Sequence, residues 1–282
     1  MQNLGRFLAC VGLVIVTVPA LAEYPGETIW ISMATDGVFG EEKIHLEATL
    51  YLPPGDGPFP VVVYSHGSTV GGRIPRAQTE KPWGFAGYLN RKRIAMLAPM
   101  RRGRGHSGGS YEEGYECTGG NVEEGIDYAA ASLDAAFAFL KKQDWSDPDR
   151  VVLAGHSRGG LLSVVYAADN PDGVLGIINF SGGWVAENCR ARAGRDLNVP
   201  IFAAAGAGTR VPALFLYASP DPFYTDESIE SYAEAYEEAG GEVDFEFFQL
   251  ADDADGHLMF FRHWTLWMPH TDRFLAREMP DR

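Results

Sequence analysis

The chain has 282 residues, 46% hydrophobic and 22% charged, enough apolar surface for one sizeable core and too much for a disordered chain. A formal charge of −15 repels phosphate backbones and anionic lipid, which argues against nucleic acid or a membrane surface as partner. Gly and Pro are scattered between apolar segments, with no repeat or linker, so residues 23–282 read as one domain.

Residues 1–22 have the make-up of a signal peptide. A single cation, Arg6, precedes an apolar run from Phe7 to Val18, and Ala20-Leu21-Ala22 supplies a small-x-small cleavage site. The run is shorter than the roughly 20 residues that span a bilayer. Cys10 lies inside the run instead of at the cleavage point, which argues against a lipoprotein anchor. Cleavage would leave 22 cations against 38 acids, a charge of −16, in a protein secreted to the periplasm or the medium. In that oxidising setting the two remaining cysteines, Cys117 and Cys189, are candidates for a disulfide. Such a bridge would close a loop of about 70 residues and contribute roughly 2–4 kcal/mol.

Apolar runs rich in β-branched residues predict strands at Thr28–Met33, Ile44–Leu52, Pro60–Ser65, Ile94–Pro99, Arg150–Ala154, Val174–Phe180, Pro212–Ala218 and Val243–Leu250. Helical patterns fall at Trp83–Asn90, Val122–Gln143, Arg158–Asp169, Asn198–Ala207, Asp226–Ala239 and Thr271–Glu278. The first two strands alternate apolar with polar residues around Asp36-Gly37, as an antiparallel edge hairpin with a rather long turn does. Later runs such as Val61-Val62-Val63 are apolar on both faces, as parallel strands covered by helices on two sides must be. The expectation is an α/β fold with a mostly parallel sheet of about eight strands and an antiparallel N-terminal edge.

The pattern Gly-x-Ser-x-Gly, which marks a sharp strand-to-helix turn presenting a serine, occurs twice. Gly155-His156-Ser157-Arg158-Gly159 follows the buried strand Val151–Ala154 and precedes an apolar helix, whereas Gly105-His106-Ser107-Gly108-Gly109 sits in Arg-Gly loop chemistry. Context therefore selects Ser157 as the nucleophile. A serine hydroxyl needs a base within reach and a group to orient that base. Among seven histidines, His257 lies in a short polar loop directly after the last strand. Asp221 follows the strand Pro212–Ala218, at the carboxyl end where a crevice forms, with Asp226 as first rival and Asp252, Asp253 and Asp255 behind it. Two backbone amides should meet the developing oxyanion: that of Arg158, and one from the loop after the third strand, best assigned to Ser68.

Val61-Val62-Val63-Tyr64-Ser65-His66-Gly67, the elbow around Ser157, Pro220-Asp221 and Gly256-His257 together resemble the dienelactone-hydrolase-like branch of the α/β hydrolases. The resemblance runs from about residue 40 to the C-terminus. It implies the α/β-hydrolase fold and cleavage of a small-molecule carboxylic ester through an acyl-serine, with no metal or organic cofactor. Dienelactone hydrolase itself has a cysteine nucleophile where this chain has Ser157, so its substrate does not carry over. The segment Arg101–Ser107 is similar to an Arg-Gly loop of related esterases and peptidases, where it holds loops by ion pairs; contact with an anionic acyl group is the other reading. Trp184, Phe223, Tyr224 and Met259 flank the proposed loops and are candidate pocket residues. Two other functions stay open: an amidase or exopeptidase with the same three residues, and a non-catalytic binding protein on a hydrolase scaffold.

Overall fold

The computed structural model describes residues 26–37, 40–68, 77–113, 121–169, 171–184 and 191–280. The leader segment 1–22, Cys117 and Cys189 lie outside the described residues. Eight strands form one sheet: β1 (Glu27–Gly37), β2 (Gly40–Tyr51), β3 (Phe59–Ser65), β4 (Ala95–Pro99), β5 (Ser146–His156), β6 (Val174–Phe180), β7 (Ala213–Ser219) and β8 (Val243–Gln249). Their spatial order is β1-β2-β4-β3-β5-β6-β7-β8. The β1–β2 and β2–β4 pairs are antiparallel and every later pair is parallel, the mixed architecture anticipated from the strand patterns.

The edge hairpin departs from the sequence reading. Pairing continues outward to Gly37 opposite Gly40, where a long turn was expected. Residues 40–43 are exposed, so no alternation of apolar side chains betrays them as strand.

The sheet's two faces carry two cores, and the period-two geometry of the strands sorts the side chains between them. In β3, Val61 and Val63 face the core shared with α2 (Val122–Leu140), α3 (Arg158–Ala168), α4 (Ala191–Gly208) and α5 (Asp226–Glu238). Val62 and Tyr64 face the opposite core, built with α1 (Trp83–Asn90), α6 (Met259–Arg262) and α7 (Trp264–Glu278). Because both faces are covered, the central strands are apolar throughout, and their polar termini are left to build the site.

Two helices begin earlier than their sequence patterns suggest. The helix expected from Asn198 starts at Ala191 and contains Pro200, and that expected from Thr271 starts at Trp264 and contains Pro269. Proline marks a probable boundary because it lacks an N–H. In α7 tertiary packing outweighs it: Trp267, Thr271, Phe274 and Leu275 are buried at helical spacing, and the Trp267 ring meets Phe85, Tyr88, Phe180 and Phe260.

Candidate active site

The turn between β5 and α3 holds Ser157 at φ 56°, ψ −125°, a left-handed conformation that costs a non-glycine residue energy and is kept by its surroundings. The Ser157 amide donates to the Phe180 carbonyl at 2.9 Å, while its carbonyl accepts from Gly160 at 2.9 Å and Gly183 at 3.2 Å. Glycine is required on both sides of it. A Cβ on Gly155 would lie 2.1 Å from the Gly159 carbonyl oxygen, and one on Gly159 would lie 2.0 Å from that of Ser65. The tight turn thus packs strand against helix and turns Ser157, 8% exposed, toward the ends of the parallel strands.

The loop after β7 supplies Asp221 and the segment after β8 supplies His257, in a 3₁₀ turn from Gly256 to Leu258. His257 Nδ1 lies 2.8 Å from Asp221 Oδ2, and the carboxylate side chain is completely covered. Its second oxygen accepts from the amides of Phe223 at 2.7 Å and Tyr224 at 3.2 Å. The carboxylate is therefore held by three donors, and it keeps the imidazole proton on Nδ1 with Nε2 left as the basic nitrogen. Asp226, the first rival for this role, instead accepts the Ser219 hydroxyl at 2.6 Å, and Asp252 and Asp253 are exposed.

His156, beside Ser157, has a partner that was not legible in the sequence: Nε2 donates to the His257 carbonyl at 2.8 Å. Burial first, and the neighbouring His257 second, push its pKa down to about 3.

The loop after β3 lies against the elbow. A Cβ on Gly67 would sit 3.4 Å from that of Ser157, and half-buried Ser68 follows it in the chain. His66 anchors this loop: Nδ1 donates to the Gly67 carbonyl at 2.7 Å and Nε2 accepts the Arg101 amide at 3.1 Å. Burial, followed by the Arg101 charge, holds the His66 pKa well below the usual imidazole range, so the ring is neutral. Half-buried Glu80 accepts from Tyr64 at 2.7 Å and from the Gly67 amide; desolvation raises its pKa, and the Tyr64 bond, the Arg101 charge and the Gly67 bond only partly offset that.

Behind the elbow the Arg-Gly segment is held by ion pairs. Arg101 forms a two-point contact with Glu113 at 2.6 and 3.0 Å and donates to the His66 carbonyl at 2.6 Å. Arg104 and Arg158 approach the same carboxylate at 3.6 and 3.9 Å, and Arg158 also donates to the Tyr111 hydroxyl at 2.7 Å. Burial alone would raise the pKa of Glu113, but the charge and hydrogen bonds of Arg101, aided by Arg104, hold it at about 2. Glu113 escaped the sequence reading because no local pattern announces a contact 45 residues away from Arg158.

Ser107, in the second Gly-x-Ser-x-Gly copy, donates to the Met100 carbonyl at 2.7 Å and accepts the Glu47 amide at 2.9 Å, so its hydroxyl ties a loop to β2. Of the candidate pocket residues, half-buried Phe223 places its ring 4.5 Å from that of His257, and buried Tyr224 follows at 5.8 Å. Trp184 and Met259 have no exposed surface and are core residues, Trp184 beneath the Arg158 guanidinium.

The profile of the alpha/beta hydrolase fold family matches residues 60–187. Among solved structures, an esterase of Pyrococcus furiosus is similar at 14% identity and TM-score 0.63, covering 99% of this chain and 98% of its own. A Klebsiella pneumoniae protein assigned as a dienelactone hydrolase matches at 18% identity and TM-score 0.58, over 90% of this chain and 100% of its own. An acylaminoacyl peptidase of Pyrococcus horikoshii matches at 17% identity and TM-score 0.62, over 91% of this chain and 42% of its own. Among curated protein sequences none matches significantly. The chain has the α/β-hydrolase fold. The likeness to the dienelactone-hydrolase-like branch, read from the motifs, is met by these neighbours at the level of the fold.

Proposed function

We propose that this protein is a secreted serine hydrolase that cleaves the carboxylic ester of a small molecule through an acyl-serine intermediate. The observation that carries the reading is the covered Asp221–His257 pair at 2.8 Å, whose backbone is bonded to the residue preceding Ser157. In the proposed sequence His257 Nε2 removes the Ser157 hydroxyl proton as the oxygen attacks the ester carbonyl. Asp221 stabilises the imidazolium, and the amides of Ser68 and Arg158 receive the negative oxygen. His257 then returns the proton to the departing alcohol, and a water repeats the cycle to release the acid. No metal or organic cofactor takes part in these steps.

Secretion follows from the leader composition, with cleavage after Ala22 and a Cys117–Cys189 bridge in the mature chain. Mass spectrometry of the exported protein, with and without reduction, tests both. The hydrolase reading is tested with a fluorophosphonate probe: the wild-type protein labels and Ser157→Ala does not. A wild-type chain that stays unlabelled would support a binding protein on this scaffold. The likeness to an acylaminoacyl peptidase keeps an amide substrate as the second reading. Turnover of p-nitrophenyl esters against aminoacyl anilides separates the two.

A further inference from the structure

The side chain next to the proposed nucleophile joins three parts of the site that come from distant positions in the chain. His156 ends β5 and is 6% exposed, with Nε2 2.8 Å from the carbonyl oxygen of His257. A carbonyl oxygen only accepts, so the proton is on Nε2. On the opposite edge, Nδ1 lies 3.1 Å from where a Gly67 Cβ would be. Phe260 stacks on the ring at 6.0 Å, and Phe261 and His257 close it in at 5.0 Å each. With neighbours on each of these sides the imidazole has one orientation.

Packing alone does not account for a histidine here, because an apolar ring would fill the space and leave the His257 carbonyl without its donor. The remaining described anchors of the 3₁₀ turn run to the acid loop: the Gly256 amide donates to the Pro220 carbonyl at 2.7 Å, and the His257 imidazole donates to Asp221. Those bonds orient the base relative to the acid. The His156 bond refers the backbone of residue 257 to the residue covalently attached to Ser157.

Resting on the hydrolase reading above, we infer that His156 is a positioning residue that sets the separation between the His257 imidazole and the Ser157 hydroxyl. Its hydrogen bond runs to the backbone carbonyl of His257 and not to the imidazole nitrogen that would take the proton. Proton transfer is steep in distance, so loss of this tether acts on the chemical step and leaves substrate binding in place.

The test compares His156→Phe, which keeps a ring and loses the donor, with His156→Gln, whose amide can still donate. His156→Met stands in as the donorless variant if Phe is not accommodated, and thermal melts check each fold. Expected is a fall of about 10- to 100-fold in kcat and in fluorophosphonate labelling rate for the donorless variant, with KM unchanged. His156→Gln regains most of that loss. Two outcomes overturn the inference alone: a donorless variant that labels at the wild-type rate, or a Gln variant as slow as the donorless one. A wild-type protein that does not label overturns the hydrolase reading together with it.

Discussion

Nδ1 of His257 stands 2.8 Å from Oδ2 of Asp221, and the other carboxylate oxygen is taken up by the amides of Phe223 and Tyr224. The Asp221 loop thus presents one oxygen to the His257 imidazole and uses the other to hold its own shape. Replacing Asp221 with Asn keeps that shape but favours the wrong imidazole tautomer. Turnover of a p-nitrophenyl ester is expected to fall by about 10⁴-fold with an unchanged melting curve. His257→Ala likewise keeps the fold and removes nearly all turnover; a variant retaining about a tenth of the activity would contradict the assignment.

Gly159 has no room for a side chain, since an added Cβ would meet the backbone oxygens of Ser65 at 2.0 Å and His66 at 2.5 Å. Both atoms belong to the sheet and the loop against the elbow, neither of which can yield cheaply. Gly159→Ala is expected to destabilise the protein by roughly 3 kcal/mol or more, read as a lower urea midpoint.

Glu113 is wholly buried against Arg101, so Glu113→Gln leaves that guanidinium without its carboxylate and is expected to cost about 3–5 kcal/mol. The carboxyl titrates at about 2 in the folded chain against an ordinary value of 4.5. Its stabilising share is complete above 4.5 and is lost as pH falls toward 2, because the unfolded chain takes up the proton first. Urea titrations across that window should show a shallower pH dependence in Glu113→Gln than in the wild type.

A separate acid sensitivity belongs to the buried imidazole of His156, whose pKa is about 3 when folded against an ordinary 6.5. A depressed histidine favours folding above 6.5 and loses that contribution as pH drops toward 3. His156→Gln should therefore lose less stability than the wild type on acidification from pH 6.5 to 4, measured by thermal melts. Equal losses would mean that the ring accepts a proton in the folded state.

Ser107 shares the Gly-x-Ser-x-Gly pattern but spends its hydroxyl on Met100 and Glu47. Ser107→Ala is expected to label with fluorophosphonate like the wild type while losing about 1–3 kcal/mol of stability, from the two backbone groups left without partners.

The sheet was readable because its central strands are buried on both faces, so continuous apolar runs such as Val61–Val63 and Val151–Leu153 announce themselves without any partner information. Elements whose stability lies elsewhere were not. The outer part of the β1–β2 hairpin is exposed, and the first turns of α7 persist through Pro269 because Trp267 enters an aromatic cluster drawn from three other elements.

Residue types and local spacing alone marked out the eight strands, the elbow around Ser157, and Asp221 and His257 as first candidates, since each follows a strand end and needs only its neighbours to be recognised. Tertiary structure decided which groups hold them: His156 on the His257 carbonyl, His66 under Arg101, and Glu113 among three arginines. Hydrogen bonds and ion pairs between residues tens of positions apart depend on side-chain direction and the exclusion of water, and neither exists until the sheet has assembled.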